Sequence, residues 1–175
     1  MPSPQTPARE RVLDAYVSLL IDAGERAATL DAVARTAGVS KGGLLYHFPN
    51  KDALVAGLIE RLDEGVAEDV AAFDADDVDP IDYFIRTSVN ENTPYDRAIV
   101  ATLRIATENE AARNAILRMR QTWRDALSRE LDDPALIDVV LYVSDGMHAN
   151  SSLDAQVAMS AQDIIRTIRK LSPAH

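Results

Sequence analysis

Cysteine is absent from the 175-residue sequence, tryptophan occurs once, and aromatic residues make up only 5% of it. Without cysteine there is no disulfide framework, no thiolate nucleophile and no thiolate metal site. Three histidines, His47, His148 and His175, give poor support for zinc or nucleophilic chemistry. No apolar run reaches the roughly 20 residues that cross a bilayer. The first ten residues are polar with three prolines, so no secretory leader is expected and the cytoplasm is the expected location, with no membrane partner. No repeat with a period of 20–50 residues is visible. The acidic turn Asp74-Ala75-Asp76-Asp77-Val78-Asp79 lacks the glycine and closing glutamate of a calcium loop. Carboxylates elsewhere sit at helical spacing among arginines, as surface ion pairs do. No catalytic set, metal site or cofactor is therefore expected.

Positive charge is also scarce: 18 Lys and Arg face 28 Asp and Glu, for a net charge of -10. The shortage is uneven. Residues 1–55 hold six basic and six acidic residues, while 56–175 hold 12 and 22. From Ala32 to Lys51 there is no acid at all, yet Arg35, Lys41, His47 and Lys51 fall there. An acidic protein whose cations are grouped at one end can still hold a polyanion.

The clearest local pattern, TLDAVARTAGVSKGGLLYHFPNK from Thr29 to Lys51, contains that acid-free window. Thr29 is suited to cap a helix bearing Leu30, Val33, Ala34 and Ala37 on one apolar face. Gly38 supplies a left-handed residue that ends it. Ser40 caps a second helix, Lys41 to His47. Leu44 and Phe48 point to the core, and Pro49 forbids continuation. Asn50 caps a third helix. Two short helices across a glycine turn form a helix-turn-helix, the unit that lays its second helix in the major groove of DNA. Ala34 and Gly38 read as small residues that let the two helices approach. Gly42 and Gly43 cost roughly 1 kcal/mol each in a helix, and close approach to a sugar-phosphate backbone is a reason to bear that cost.

These residues resemble the TetR family of transcriptional regulators. The likeness runs over residues 9–55: Arg11-Val12-Leu13-Asp14-Ala15, Gly24, Thr29, Val33-Ala34, Ala37 through Gly42, Leu45-Tyr46-His47-Phe48 and Lys51. The segment GLLYHFPNK is most similar to members that control multidrug efflux. The resemblance implies a DNA interface of Thr29, Ser40, Lys41, Gly42, Gly43, Leu45, Tyr46, His47 and Lys51. Thr29, Tyr46, His47 and Lys51 would meet phosphates, while Lys41, Gly42 and Gly43 face the groove. Gly43 and Leu45 depart from the family, where larger or polar residues are common. The helix has no Arg, Asn or Gln for bidentate base contacts, so only Lys41 is a strong candidate for a base edge. Sequence choice would then lean on thymine methyls and DNA shape.

The rest of the chain also reads as helix. A first helix carries Val12, Tyr16, Leu19, Leu20 and Ala23, with Arg9 and Arg11 near its start expected to approach the DNA backbone. A long helix from Lys51 to about Phe73 carries Leu54, Val55, Leu58, Ile59, Leu62, Val66 and Val70. Pro80 opens a helix with Ile81, Phe84, Ile85 and Val89. Thr93-Pro94 opens another through Ile99, Leu103 and Ile105, and a further one spans about Glu110 to Leu131. Residues 135–153 are apolar on nearly every side, so that helix must be covered twice. Ser160 to Asp163 reads as a capping box for a last helix bearing Ile164, Ile165, Ile168 and Leu171.

The expected fold is all-α, with about nine helices. Residues 1–50 form a three-helix DNA-binding head, and 51–175 a ligand-binding and dimerisation domain. A homodimer through the last two helices would place two heads on a palindromic operator. The function implied is a repressor released from double-stranded DNA by a small hydrophobic effector, and not an enzyme. Candidate effector contacts are Tyr83, Phe84, Asn90, Leu103, Met119, Trp123, Tyr142, Asp145, Met147 and His148. Asp145, within an apolar helix, calls for a partner such as Arg104 or Arg124, a backbone cap or a cationic ligand. The alternatives are a constitutive DNA-bound regulator or activator without an inducer, and a protein adaptor with a degenerate head.

Overall fold

A computed structural model describes residues 7–75, 78–89, 91–151 and 159–172. Among the described residues there are nine helices and no strand. They are α1 (Ala8–Ala23), α2 (Leu30–Ala37), α3 (Lys41–His47), α4 (Lys51–Phe73), α5 (Pro80–Thr87), α6 (Pro94–Ile105), α7 (Glu110–Leu127), α8 (Pro134–Ser151) and α9 (Ala161–Leu171). No described helix is long and apolar enough to cross a membrane. The all-α class expected from periodicity is the class observed.

Packing divides the chain into two compact units, Met1–Glu64 with Pro94–Leu117, and Gly65–Thr93 with Arg118–His175. The packing units do not coincide with a division at residue 50, because α6 and the start of α7 group with the first three helices.

The first unit is built on α1. Val12, Leu13, Ala15, Tyr16, Val17 and Leu20 turn its apolar face inward. Helices α2, α3 and α6 each pack against α1. The α6 face is made of small groups, Ala98, Ala101 and Thr102, all fully buried, and Thr102 Oγ1 donates back to the Ala98 carbonyl at 2.7 Å. Small side chains let a helix axis come close. Arg97 on the same helix donates to Ser18 Oγ of α1 at 2.8 Å. Leu103, placed by periodicity on the α6 apolar stripe, is instead 48% exposed, so the buried face lies at Ala98, Ala101, Thr102 and Ile105.

Helix α4 is clamped to α1 by charge. Arg61 donates to Asp14 Oδ1 and Glu10 Oε2, both at 2.7 Å, with only 15% of its side chain exposed. Arg9 pairs with Glu10 and Glu60, and its guanidinium lies 5.5 Å from the centroid of the Phe48 ring. Burial opposes ionisation of Glu10, but the hydrogen bonds and charges of Arg61 and then Arg9 outweigh it and hold the carboxyl below its usual value. Arg9, expected near the DNA backbone, is therefore engaged within the unit.

The second unit closes around Trp123. Its indole meets Phe84 at 4.7 Å and Phe73 edge-on at 5.7 Å between centroids. Leu127, Ile137, Val140, Ile165 and Ile168 complete the same core. Asp79 caps α5 by accepting from Asp82 N at 2.8 Å, with Pro80 at the first helical position. Ser160 caps α9 by accepting from Asp163 N, as the capping-box reading expects. Arg124 pairs with Asp138 and Arg120 with Asp145, both between α7 and α8.

Candidate nucleic-acid interface

The helix-turn-helix forms at the expected positions. Thr29 Oγ1 accepts from Ala32 N at 3.2 Å and starts α2. Gly38 ends it at φ +65°, a conformation that costs other residues steric strain. A Cβ added at Gly38 would meet nothing within 4 Å. The glycine therefore answers to backbone angle, not to close helix approach as its spacing suggests. Ser40 Oγ accepts from Gly43 N at 3.1 Å and starts α3. A hydroxyl that accepts from a backbone N–H keeps its own proton to donate. Both capping hydroxyls thus keep a proton to donate. Asn50 Oδ1 accepts from Ala53 N at 2.8 Å and caps α4.

Helix α3 has one anchored side. Leu44 is fully buried and Phe48 nearly so. Opposite them, Lys41, Gly42 and Tyr46 are exposed, and the Tyr46 ring is 84% so. Gly43, Leu45 and His47 are partly covered. The Tyr46 and His47 rings meet edge-on at 5.0 Å. A Cβ on Gly42 would find no protein atom within 4 Å. Nothing inside the chain therefore requires a glycine there.

The lysines are not bare. Lys41 Nζ lies 2.9 Å from Asp31 Oδ1 of α2. Lys51 Nζ lies 2.9 Å from Glu25 Oε1 and 3.5 Å from the Glu25 carbonyl. Asp31 adjoins the acid-free window and Glu25 lies seven positions before it, and both fold onto its lysines. A window count cannot register them.

The candidate effector residues scatter more widely. Phe84, Trp123 and Met147 are buried in the second unit's core, with Tyr83 and Met119 packed on it. Tyr83 donates its hydroxyl to Asp69 at 2.6 Å. His148 is partly buried. Tyr142 is 67% exposed, with the Arg120 guanidinium 5.3 Å from its ring centroid. Asp145 is exposed and pairs with Arg120 rather than with Arg104 or Arg124. Leu103 groups with the first unit, and Asn90 lies outside the described residues.

Residues 12–58 match the profile of the bacterial regulatory proteins of the tetR family. That segment, about a quarter of the chain, is thus a tetR-type helix-turn-helix region. Over 54 residues the chain is 41% identical to the HTH-type transcriptional regulator SrpR of Pseudomonas putida, a match covering 30% of this chain and 25% of that protein. Over 55 residues it is 38% identical to the uncharacterized HTH-type transcriptional regulator YvkB of Bacillus subtilis, covering 31% and 29%. The chain thus matches less than half the length of these curated relatives. The fold likeness to solved structures extends further. The multidrug binding protein EbrR, solved with malachite green, aligns at TM-score 0.74 with 21% identity, covering 98% of this chain and 100% of that one. Salmonella enterica GusR aligns at TM-score 0.73 with 17% identity and 99% coverage of both.

Proposed function

We propose that this chain is a TetR-family homodimeric transcriptional repressor that binds a palindromic operator and leaves it when a small hydrophobic effector binds. The observation that carries the DNA part is the two-sidedness of α3. Leu44 and Phe48 hold one side, while Lys41, Gly42 and Tyr46 are exposed on the other. Gly42 and Gly43 admit a phosphate backbone to the helix start, where free N–H groups favour anions. Thr29 and Ser40 donate their remaining protons to phosphate oxygens, joined by the tips of Tyr46 and His47 and by Lys51. Leu45 supplies apolar contact and Lys41 reaches a base edge. In this reading residues 1–50 meet DNA and residues 51–175 pair the subunits and hold the effector.

Pairing is supported by apolar groups left uncovered in the single chain. Val139 and Tyr142 of α8 and Leu171 of α9 are all at least half exposed. A two-fold seam through α8 and α9 buries them and sets the separation of the heads. Half-sites on one DNA face recur about every 34–36 Å. A modest change in head separation therefore breaks simultaneous docking. Helix α4 contributes to both packing units, so it is the element through which effector binding reaches the head.

The effector reading draws on EbrR, whose structures hold malachite green, ethidium and imidazole. In this chain the buried aromatic cluster of Phe73, Phe84 and Trp123, with Tyr83, Met119 and Met147 beside it, supplies the apolar and aromatic groups for a flat apolar molecule.

The test uses a fluorescent duplex of the DNA immediately upstream of the chain's own coding sequence. Salt-dependent binding is expected, and Tyr46→Ala with Lys51→Ala abolishes it while light scattering still reports a dimer. Malachite green or ethidium is expected to quench Trp123 and release the duplex. Full binding by the double variant sinks the DNA roles. Binding without release leaves a constitutive regulator.

A further inference from the structure

The two lysines of the proposed interface are each already paired with a carboxylate of the same unit. Lys41 on α3 meets Asp31 on α2, and Lys51 at the start of α4 meets Glu25 in the segment between α1 and α2, each at 2.9 Å. All four side chains keep substantial contact with solvent, from 31% for Glu25 to 68% for Asp31. These are not buried pairs that hold a core together. Ion pairs at that exposure contribute little to folding. Their position makes them matter elsewhere. Arg35 and Arg26, the other cations of the stretch from Glu25 to Lys51, carry no such partner among the described residues.

We propose that Asp31 and Glu25 are internal counterions that occupy Lys41 and Lys51 in the free protein and thereby set the affinity and salt dependence of DNA binding. The inference rests on the DNA-binding reading above. A lysine that approaches a phosphate normally adds one positive charge to the contact and displaces about 0.9 of a condensed cation from the duplex. A lysine paired with a carboxylate adds no net charge. The acid must be displaced or carried along, and in either case it stays within a Debye length of the phosphates. Each pair therefore removes the electrostatic gain of its lysine without removing the lysine's hydrogen bonds. Asp31 and Glu25 act as positioning residues, through Lys41 and Lys51. They restrain the sequence-independent part of the binding, the part that would hold the head on any duplex.

The experiment compares the full-length wild type with Asp31→Asn, Glu25→Gln, the double variant, Lys41→Ala, and Asp31→Asn combined with Lys41→Ala. Binding is followed by fluorescence anisotropy over a salt series. The probes are the upstream duplex and a scrambled duplex of equal composition. Each carboxamide variant is expected to bind both duplexes about threefold to fivefold more tightly at low salt, in keeping with a surface charge pair. Its plot of log K against log salt steepens by about 0.9. The ratio between the two duplexes stays unchanged. In the Lys41→Ala background, Asp31→Asn gives only a smaller gain, from relief of repulsion, and the salt slope does not steepen by about 0.9 because no lysine is released. A purely structural role for Asp31 lowers affinity or leaves the slope alone, and either result overturns the proposal. So does an equal gain in the Lys41→Ala background, which assigns the effect to bulk charge. If the wild type binds neither duplex and the double carboxamide variant binds both, the proposal stands and the repressor is autoinhibited. If no variant binds any duplex, both the DNA-binding reading and this inference fall.

Discussion

The edge of the Phe48 ring occupies the space that a methyl group on Gly57 would need: a Cβ built on Gly57 falls 2.8 Å from Phe48 Cε1 and 3.5 Å from Leu13 Cδ1. Phe48 ends α3, Leu13 lies on α1 and Gly57 lies in α4. The glycine is the point at which the long helix fits against the reading helix. Gly57→Ala should gain about 1 kcal/mol of helix propensity and lose about 1–3 kcal/mol to overpacking. A net loss near 1 kcal/mol is expected in urea denaturation, largely recovered by adding Phe48→Leu. A net gain would show that the ring yields freely.

Gly42 presents the opposite case. With no protein atom near its missing Cβ, Gly42→Ala should stabilise the fold by about 0.5–1 kcal/mol. The same methyl group intrudes where the phosphate backbone is proposed to lie. Thermal denaturation and duplex anisotropy should therefore move in opposite directions. An alanine variant that binds DNA as tightly as the wild type would remove the backbone-approach explanation for this glycine.

The Tyr16 hydroxyl is fully buried without a hydrogen-bond partner among the described residues. Burial, followed by the charges of Glu25 and Asp52, raises its ionisation far above the ordinary phenol range, so it stays neutral. An unpaired buried polar group costs about 1–3 kcal/mol. Tyr16→Phe should be neutral or stabilise by roughly 1 kcal/mol in urea denaturation. A clear loss would mean that the hydroxyl has a partner in solution.

Acid should loosen the clamp between α1 and α4. Glu10 has a folded pKa below its ordinary value of 4.5 because Arg61 and Arg9 outweigh its burial. A depressed carboxyl contributes stability above the unfolded pKa and loses it as pH falls through the lowered folded value. Since the Glu10 side chain is 38% exposed, the contribution should stay under about 1 kcal/mol. Glu10→Gln should flatten the stability profile below about pH 4.5 and change little at neutral pH. An unchanged acid limb would assign the pH dependence to other carboxylates.

Much of this architecture is legible in the residue order, for reasons that are local. Thr29, Ser40, Asp79 and Ser160 accept from the backbone N–H groups three residues on, and caps are short-range chemistry. Gly38 and the prolines at 49, 80 and 94 punctuate the helices where their backbone limits require. The misjudged positions depend on distant partners. Arg120 rather than Arg104 or Arg124 meets Asp145 because side-chain reach across α7 and α8 decides it. Leu103 lies outside its helix's buried stripe, which runs through Ala98, Ala101, Thr102 and Ile105. Gly57 carries no signal in the helical pattern of α4; its reason is Phe48, which lies beside it in the fold. Asp31 and Glu25 stand outside an acid-free window and still neutralise two of its lysines.

The seam between α1 and α6 also bears on how such regulators can be rearranged. Its two sides, Ser18 on one and Arg97, Ala98, Ala101 and Thr102 on the other, are separated by some eighty positions of chain. A chimera made by a single crossover near residue 50 imports a foreign α1 and keeps the native α6. Such a graft would carry an intact reading helix on a poorly fitted floor. Exchange of DNA specificity between distant members should therefore succeed more often when residues 94–117 travel with the amino-terminal segment.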